Sequence, residues 1–414
     1  MNNIILNTDQ EKVVEAALKF LKSDQQVFEF DGKAGVGKSV VLHEIIKRSH
    51  LSYDEVAPAA YTGAAACVMR TKGFTNARSL HSWFYELKKC EKVVYDDNKK
   101  SFTKFDTQLN KPQFEYVFVP KDPKTLDPKI KLFVIDEGWM VPENMKRDIL
   151  KHGIKIIVAG DSGQLPPITG NPAFLTGDNV MHLTQIMRQA ESNPIVYLAN
   201  RAREGLPIHC GLYGSHGTNK VLVIPDTDLT TNMVLDVGNI ICGTNRTRDY
   251  FNNKIRQLLN LNPEMPQYGE RIICRNNNWK ITKDNIALAN GLSGVICSPI
   301  SINSFDSKSL RLDFLPDLLN SPFESLTVNY DYLMSGYDKR QEIKDNKFDI
   351  LNKGELFEFA YAITTHLAQG AEYPCGIFFE EFLRSNIQRQ LCYTGITRFK
   401  EYMIYVKKTI KKYY

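Results

Sequence analysis

The residues with the plainest chemistry are Gly32-Lys33-Ala34-Gly35-Val36-Gly37-Lys38-Ser39, which match the phosphate-binding pattern G-x-x-x-x-G-K-[ST] without a mismatch. Glycines at this spacing let backbone N–H groups turn inward around an anion, and the positive end of a following helix adds to the attraction. In that pattern Lys38 reaches the β- and γ-phosphates of a nucleoside triphosphate and Ser39 a Mg²⁺ ion. Asp136 and Glu137 form a second set, ending the apolar run Lys131–Ile135. Two acids at the carboxyl end of a buried strand sit where open α/β sheets bind their ligands. Beside a phosphate loop they read as partners for the metal and for a water. The loop alone fits a kinase, a GTPase or a transporter subunit equally well.

The elements that must position these residues are legible around them. Val27-Phe28-Glu29-Phe30 alternates and predicts a strand leading into the loop, and Val40–Ile46 predicts a buried helix leaving it. A true phosphate loop requires that context. Leu132–Ile135 and Ile154–Ala159 are continuous apolar runs, the pattern of strands covered on both faces in a parallel sheet. Upstream, Val13–Leu21 has helical spacing with Thr8 or Asp9 as its predicted N-cap. Gln10, taken in isolation, is a solvent-facing glutamine in the first turn. Val56–Ala66 predicts a strand, a small-residue turn and an alanine-rich helix, and Arg78–Phe84 predicts another helix. His81, taken alone, is an ordinary surface or core histidine.

Between Glu86 and Pro128 the composition shifts to lysine, aspartate, asparagine and proline. Within it, Lys92–Tyr95 and Ser101–Phe105 flank Asp96–Lys100 in a hairpin pattern, an exposed basic-aromatic insertion. Ile195, Leu198 and Ala199 continue a helical pattern, and the breaker-rich stretch Gly205–Asn232 reads as passage into a second domain. Gly238–Cys242 predicts a strand and Asn245–Leu261 a helix. Gly269–Gly354 breaks into short alternating segments, the pattern of a small β-barrel. Phe357–Ile363 predicts one strand, Gln388–Arg398 a helix and Met403–Val406 a last strand. Lys407, Lys408, Lys411 and Lys412 form a basic, solubilising tail.

At 414 residues the chain exceeds one ordinary core, and 43% hydrophobic with 24% charged residues is the balance of a soluble globular protein. A net charge of +5 is compatible with a polyanionic partner without arguing for one. The eight cysteines stand singly, with no C-x-x-C pair, so a reduced compartment and small buried thiols are expected. No apolar run approaches the roughly 18 residues that span a bilayer, and no signal peptide is recognisable. The expected location is cytoplasmic.

Taken in chain order, these segments resemble the motif set of superfamily 1 helicases, and within it the 1B, RecD/Dda-like branch. Gly160-Asp161-Ser162-Gly163-Gln164-Leu165-Pro166-Pro167 is similar to G-D-x-x-Q-L-P-P. Leu183-Thr184 with Met187-Arg188-Gln189 is similar to L-T-x-x-x-R-Q, and Tyr393-Thr394-Gly395-Ile396-Thr397-Arg398 to Y-x-x-x-T-R. The resemblance covers roughly residues 1–85, 131–260 and 356–410. It departs at His366-Leu367-Ala368-Gln369-Gly370, where the family usually has H-K-[SA]-Q-G, so that Leu367 stands at a commonly basic position.

The resemblance implies an α/β fold with two RecA-like P-loop lobes, each a parallel sheet flanked by helices. The first lobe would span 1–85 and 115–190, with a β-hairpin pin inserted at 86–114. The second would span 191–268 and 356–414, with a small SH3-like β-barrel inserted at 269–355. By the same resemblance Lys38, Glu137, Gln164, Arg188 and Arg398 are catalytic. Gln10 reads the adenine, and Gly35, Val36, Gly37, Lys38 and Ser39 hold phosphates. Ser39 and Asp136 hold Mg²⁺, Glu372 contacts the ribose, and Gly370 belongs to the nucleotide-binding set. Thr62, Gly63, Ser79, His81, Thr364 and His366 contact a nucleic-acid strand, and Tyr95 or Phe102 at the hairpin tip stacks on the last base pair. A purely structural hairpin remains the alternative.

The implied function is an ATP-dependent DNA helicase that moves 5′ to 3′ on single-stranded DNA and separates duplex in replication or repair. ATP and Mg²⁺ are the implied cofactors. Single-stranded DNA and single/double-strand junctions are the implied partners, with a single-strand-binding or replication protein besides. A monomer, no membrane, and the host cytoplasm for a phage-encoded chain complete the expectation. Contacts to backbone and base faces do not separate DNA from RNA, so an RNA helicase stays open. So does an ATP-gated module that grips a strand without unwinding it.

Overall fold

The computed structural model describes residues 5–409 except 92, 96–100, 104, 107–110, 113, 188–189, 191, 215–218, 285, 303–308, 346–353 and 383–384. For several strand residues between 87 and 116, among them Tyr95 and Phe102, it describes the backbone alone. The chain divides into two compact units: Met1–Ser79 with Leu126–Pro263 and Phe359–Tyr414, and Leu80–Thr125 with Glu264–Glu358.

The first unit contains two six-stranded sheets. In the first sheet the strands are β1 (Val27–Gly32), β2 (Val56–Ala60), β3 (Arg78–Ser79), β4 (Leu132–Asp136), β5 (Lys155–Gly160) and β6 (Met181–Leu183), in the order β6-β1-β5-β4-β2-β3. All neighbours are parallel. The apolar runs explain their place: Leu132, Phe133, Val134 and Ile135 are each at most 1% exposed, as a strand covered on both faces requires. Helices α1 (Thr8–Leu21) and α2 (Lys38–Ser49) bury Val13, Val14, Ala17, Leu42 and Ile45 in one cluster with Phe30, Val134 and Ile157. Helix α3 (Gly63–Thr71) follows β2.

The second sheet comprises β7 (Gly211–Tyr213), β8 (Lys220–Pro225), β9 (Ile240–Cys242), β10 (Ala362–Thr364), β11 (Tyr373–Phe379) and β12 (Phe399–Lys407), in the order β7-β8-β12-β11-β9-β10. Only β7 is antiparallel to its neighbour. Ile240, Ile377 and Ile404 pack with Phe251 and Ile255 of the Asn245–Leu258 helix. Helix α4 (Pro194–Glu204) and helix α5 (Ser385–Ile396) belong to this half of the unit. The α/β class with parallel sheets and flanking helices is as expected.

The second unit holds an antiparallel ribbon of Tyr85–Glu91 with Phe114–Pro120, and a pairing of Val93–Tyr95 with Ser101–Thr103. It also holds a largely antiparallel sheet built on Ser309–Pro316, which pairs with Ser293–Ile296, Ser301–Ile302 and Phe323–Asn329. Its core includes a buried carboxylate, Glu358, which pairs with Arg275 at 3.0 Å and Arg340 at 3.2 Å and accepts from the Tyr332 hydroxyl at 2.8 Å.

Several local expectations are corrected. The N-cap of α1 is Asn7, not Thr8 or Asp9: its side chain accepts from Gln10 N while Gln10 Oε1 accepts from Asn7 N, a capping box. Arg78–Ser79 extends the first sheet before a short helix at Leu80–Phe84. Phe357–Ile363 is not one strand, because the chain changes sheet between Phe357–Phe359 and Ala362–Thr364. Gly205–Asn232 is not merely a passage; it supplies β7 and β8. The ribbon running from Tyr85 to Pro120 belongs to the second unit.

Candidate active site

The phosphate loop follows β1 and needs its glycines. Gly35 and Gly37 have φ of 85° and 81°, the left-handed region, and a Cβ at Gly37 would lie 2.7 Å from both Gln10 Nε2 and Met187 Sδ. Helix α2 begins at Lys38 with no side-chain cap and no acid in its first turn, so its N–H donors and positive pole are left for an anion. They face a cavity of about 360 Å³. From the first sheet it is lined by Gly35, Lys38, Ser39, Asp136, Glu137, Asp161 and Gln164; from the second by Glu372, Thr397, Arg398 and Lys400. Lys38 Nζ donates to Gly32 O at 2.6 Å and lies 4.0 Å from Asp161 Oδ2.

Asp136 ends β4 and its Oδ1 accepts from Glu137 N at 2.9 Å. Glu137 takes φ of 56°, a conformation that costs a non-glycine residue strain and that recurs at functional sites. Burial pushes its carboxyl above the ordinary value; Asp136 and Asp161 add to the rise, and Arg398 and Lys38 oppose it. Arg398 reaches from the end of α5 to within 3.9 Å of Glu137 Oε1. Its guanidinium is aimed by Thr394 O at 3.0 Å, Thr397 Oγ1 at 3.0 Å and Ala371 O at 3.3 Å. Gln164 is 5% exposed and its Oε1 has no hydrogen-bond partner among the described residues. A buried acceptor without a partner beside a polar cavity fits a water or a ligand donor.

Gln10 is 2% exposed, not solvent-facing: Nε2 donates to Val36 O at 2.8 Å, so the side chain props the loop from α1. Glu372 accepts from Lys72 at 2.7 Å and Lys400 at 2.9 Å. Burial pushes its carboxyl up, but Lys400 and Lys72 outweigh that and hold it at about 2. Gly370 does not line the cavity; with φ of 76° it packs against Ala65, where a Cβ would come within 2.5 Å. Arg188 lies outside the described residues, although its neighbour Met187 donates from N to Gly35 O at 2.9 Å. Among the described residues no three His, Cys, Asp or Glu side chains cluster as a metal site. Ser39 and Asp136 remain two hard oxygen donors, a set that suits Mg²⁺ completed by phosphate oxygens and water.

The strand-contact candidates lie at carboxyl ends of parallel strands: Thr62 and Gly63 after β2, Ser79 at the end of β3, Thr364 at the end of β10. Thr62 Oγ1 caps α3 by accepting from Ala65 N at 3.1 Å, and Thr364 Oγ1 accepts from Leu367 N at 3.4 Å. His366 is partly buried, which lowers its pKa. In the second unit, burial likewise lowers that of His81, whose ring lies 5.4 Å from Tyr85 and 5.1 Å from Phe118. Tyr95 and Phe102 occupy adjoining positions of the paired strands, opposite Ser101 and Val94; their side chains and residues 96–100 lie outside what the structure describes.

Tyr393, Thr394, Asp161 and Gln369 stand in the sequence motifs as letters without an assigned role. Asp161, fully buried, accepts from the Tyr393 hydroxyl and from Gly163 N, and pairs with Arg203 at 3.2 Å. Leu165 N donates to Thr394 Oγ1 at 2.9 Å, and Leu165 O accepts from Gln369 Nε2 at 2.8 Å. Lys72 and Arg203 carried no sequence signal, since their partners are about 300 and 42 residues away in the chain.

A family model described as an AAA domain matches residues 5–221, more than half of the chain. The ATP-dependent DNA helicase PIF1 of Candida albicans is 31% identical over 185 residues, covering 41% of this chain and 17% of that protein. The ATP-dependent RecD2 DNA helicase of Deinococcus radiodurans is 23% identical over 297 residues, covering 65% of this chain and 35% of that one. The chain thus spans only about a sixth to a third of the length of these curated relatives. In fold it is similar to a Pif1 helicase from Bacteroides solved in complex with ADP-AlF3 and ssDNA, with a TM-score of 0.54 at 16% identity over 99% of this chain and 94% of that one. The chain belongs to the AAA-domain family.

Proposed function

We propose that the chain is an ATP-dependent DNA helicase that moves 5′ to 3′ along single-stranded DNA and separates duplex, hydrolysing ATP in the cavity between its two sheets. The observation that carries this reading is the approach of Arg398, from the second sheet, to Glu137 beside the phosphate loop of the first. Phosphoryl transfer leaves a protein mostly positioning and charge neutralisation to do. Lys38 and the uncapped N-terminus of α2 neutralise the phosphates, and Glu137, kept basic by burial, takes a proton from the attacking water. Gln164 Oε1 accepts from that water, and Arg398 and Arg188 neutralise the transferring oxygens. Mg²⁺ held by Ser39 and Asp136 would supply further charge neutralisation to the phosphates. Glu372, from the cavity wall, contacts the ribose, and Gln10, behind the loop, is assigned to the adenine.

Because Lys38 and Arg398 come from different sheets, hydrolysis requires the two halves to be closed on the nucleotide. A strand gripped by Thr62, Gly63 and Ser79 beside the first sheet and by Thr364 and His366 beside the second is then carried along as they close and reopen, and His81 is a further proposed strand contact. The paired segment 93–103 serves as the separating pin, with Tyr95 or Phe102 against the last base pair. The sheet around Ser309–Pro316 serves as the SH3-like barrel, and a single-strand-binding or replication protein is a further partner. The test is ATP hydrolysis with and without single-stranded DNA. Stimulation by the strand that disappears in Lys38→Ala supports the reading; hydrolysis indifferent to DNA overturns it.

A further inference from the structure

Tyr393 is fully buried, yet its hydroxyl makes two bonds to the first sheet's machinery. It accepts from Ala34 N, inside the phosphate loop, at 2.7 Å and donates to Asp161 Oδ2. The polarity of this relay is fixed. A backbone N–H only donates, so the phenol oxygen accepts from Ala34 and its own proton is left for Asp161. Burial and Asp161 push the phenol pKa well above its ordinary value, which keeps that proton in place. Arg203 closes the ring from above, 5.4 Å from its centroid, while pairing with the other oxygen of Asp161. Gly163 makes room for it, since a Cβ there would lie 2.6 Å from Arg203 Nε.

Tyr393 and Arg398 lie on and just beyond the same helix, α5, about five residues apart. Thr394, next along, fixes the backbone of Leu165 beside Gln164. We propose that Tyr393 is a positioning residue that sets the register between the phosphate loop and the arginine-bearing end of α5, so that Arg398 reaches the transferring phosphoryl group only when the hydroxyl is docked on Ala34 N and Asp161. This rests on the reading of the cavity as an ATP-hydrolysing site. It differs from a hydroxyl that merely satisfies a buried carboxylate, which would affect stability but not the action of a side chain one turn away.

Tyr393→Phe keeps the ring, its packing and the Arg203 contact while deleting the relay. The experiment measures kcat and KM for ATP, basal and with single-stranded DNA, in wild type, Tyr393→Phe, Arg398→Ala and the double variant, together with binding of a fluorescent ADP and amide exchange of the Gly32–Lys38 segment. Tyr393→Phe is expected to lower kcat at least tenfold with ADP affinity within threefold of wild type, to speed exchange in the loop, and to add less than twofold to the loss already caused by Arg398→Ala. A kcat within twofold of wild type, loss of ADP binding, or losses that multiply in the double variant overturns the proposal. A wild type whose ATP hydrolysis ignores DNA overturns the helicase reading instead, and the Tyr393 cycle is then judged on basal turnover.

Discussion

Glu372→Gln removes the one charge shared by Lys72, at the end of α3, and Lys400, on β12. A carboxyl held at about 2 instead of the ordinary 4.5 carries about 3 kcal/mol of differential interaction. Lys400 is 49% exposed and Lys72 34%, so solvent screening reduces this to about 1–2 kcal/mol. In a chain of this size that is a fall of about 1–2 °C in the melting transition. The sign follows from linkage: a depressed carboxyl contributes stability that is present above its unfolded value near 4.5 and lost as pH falls through about 2. The deficit of Glu372→Gln is therefore full at pH 7 and shrinks to about two-fifths at pH 3. Thermal melts of both proteins at the two pH values, repeated at high salt to screen the exposed lysines, measure it. A variant that melts with wild type at pH 7, or a deficit unchanged at pH 3, refutes the reasoning.

Glu137→Gln is expected to lower ATP turnover by about 10²–10⁴-fold while nucleotide still binds, as loss of a general base does. Since the folded carboxyl is raised, ionising it costs stability as pH rises through its folded value, so the same variant melts higher than wild type at pH 7 and equally at pH 4; the reverse order contradicts the burial argument. Arg398→Ala is expected to lower kcat by about 10³–10⁵ with ADP binding retained, read by steady-state kinetics; a change confined to KM speaks against a role in the transition state. Deleting residues 95–102 is expected to abolish unwinding and spare DNA-stimulated hydrolysis, and equal loss of both counts against a pin.

The elements nearest the nucleotide were readable because local rules determine them. A strand buried on both faces must be apolar throughout, and a loop with two left-handed positions must be glycine there, so Leu132–Ile135 and Gly32–Ser39 announce themselves. Gln10 was misread as exposed because its burial depends on Val36, 26 residues later, and on a cap one residue earlier than the best local candidates. The sheet change after Phe359 was invisible, since two short strands in register with different neighbours look like one. The bonds joining the two halves, Tyr393 to Ala34 and Thr394 to Leu165, span 359 and 229 residues, and no periodicity reports pairing at that distance.

The central claim is that closure of the two halves on ATP is spent in moving along a strand and parting a duplex. The most direct measurement is strand displacement by wild type and Lys38→Ala on duplexes carrying a 5′ or a 3′ single-stranded tail. The account predicts ATP-dependent displacement by wild type from the 5′-tailed duplex and none by Lys38→Ala. Displacement from the 3′ tail alone contradicts the assigned direction, and DNA-stimulated hydrolysis without displacement on either substrate contradicts the claim that the movement unwinds.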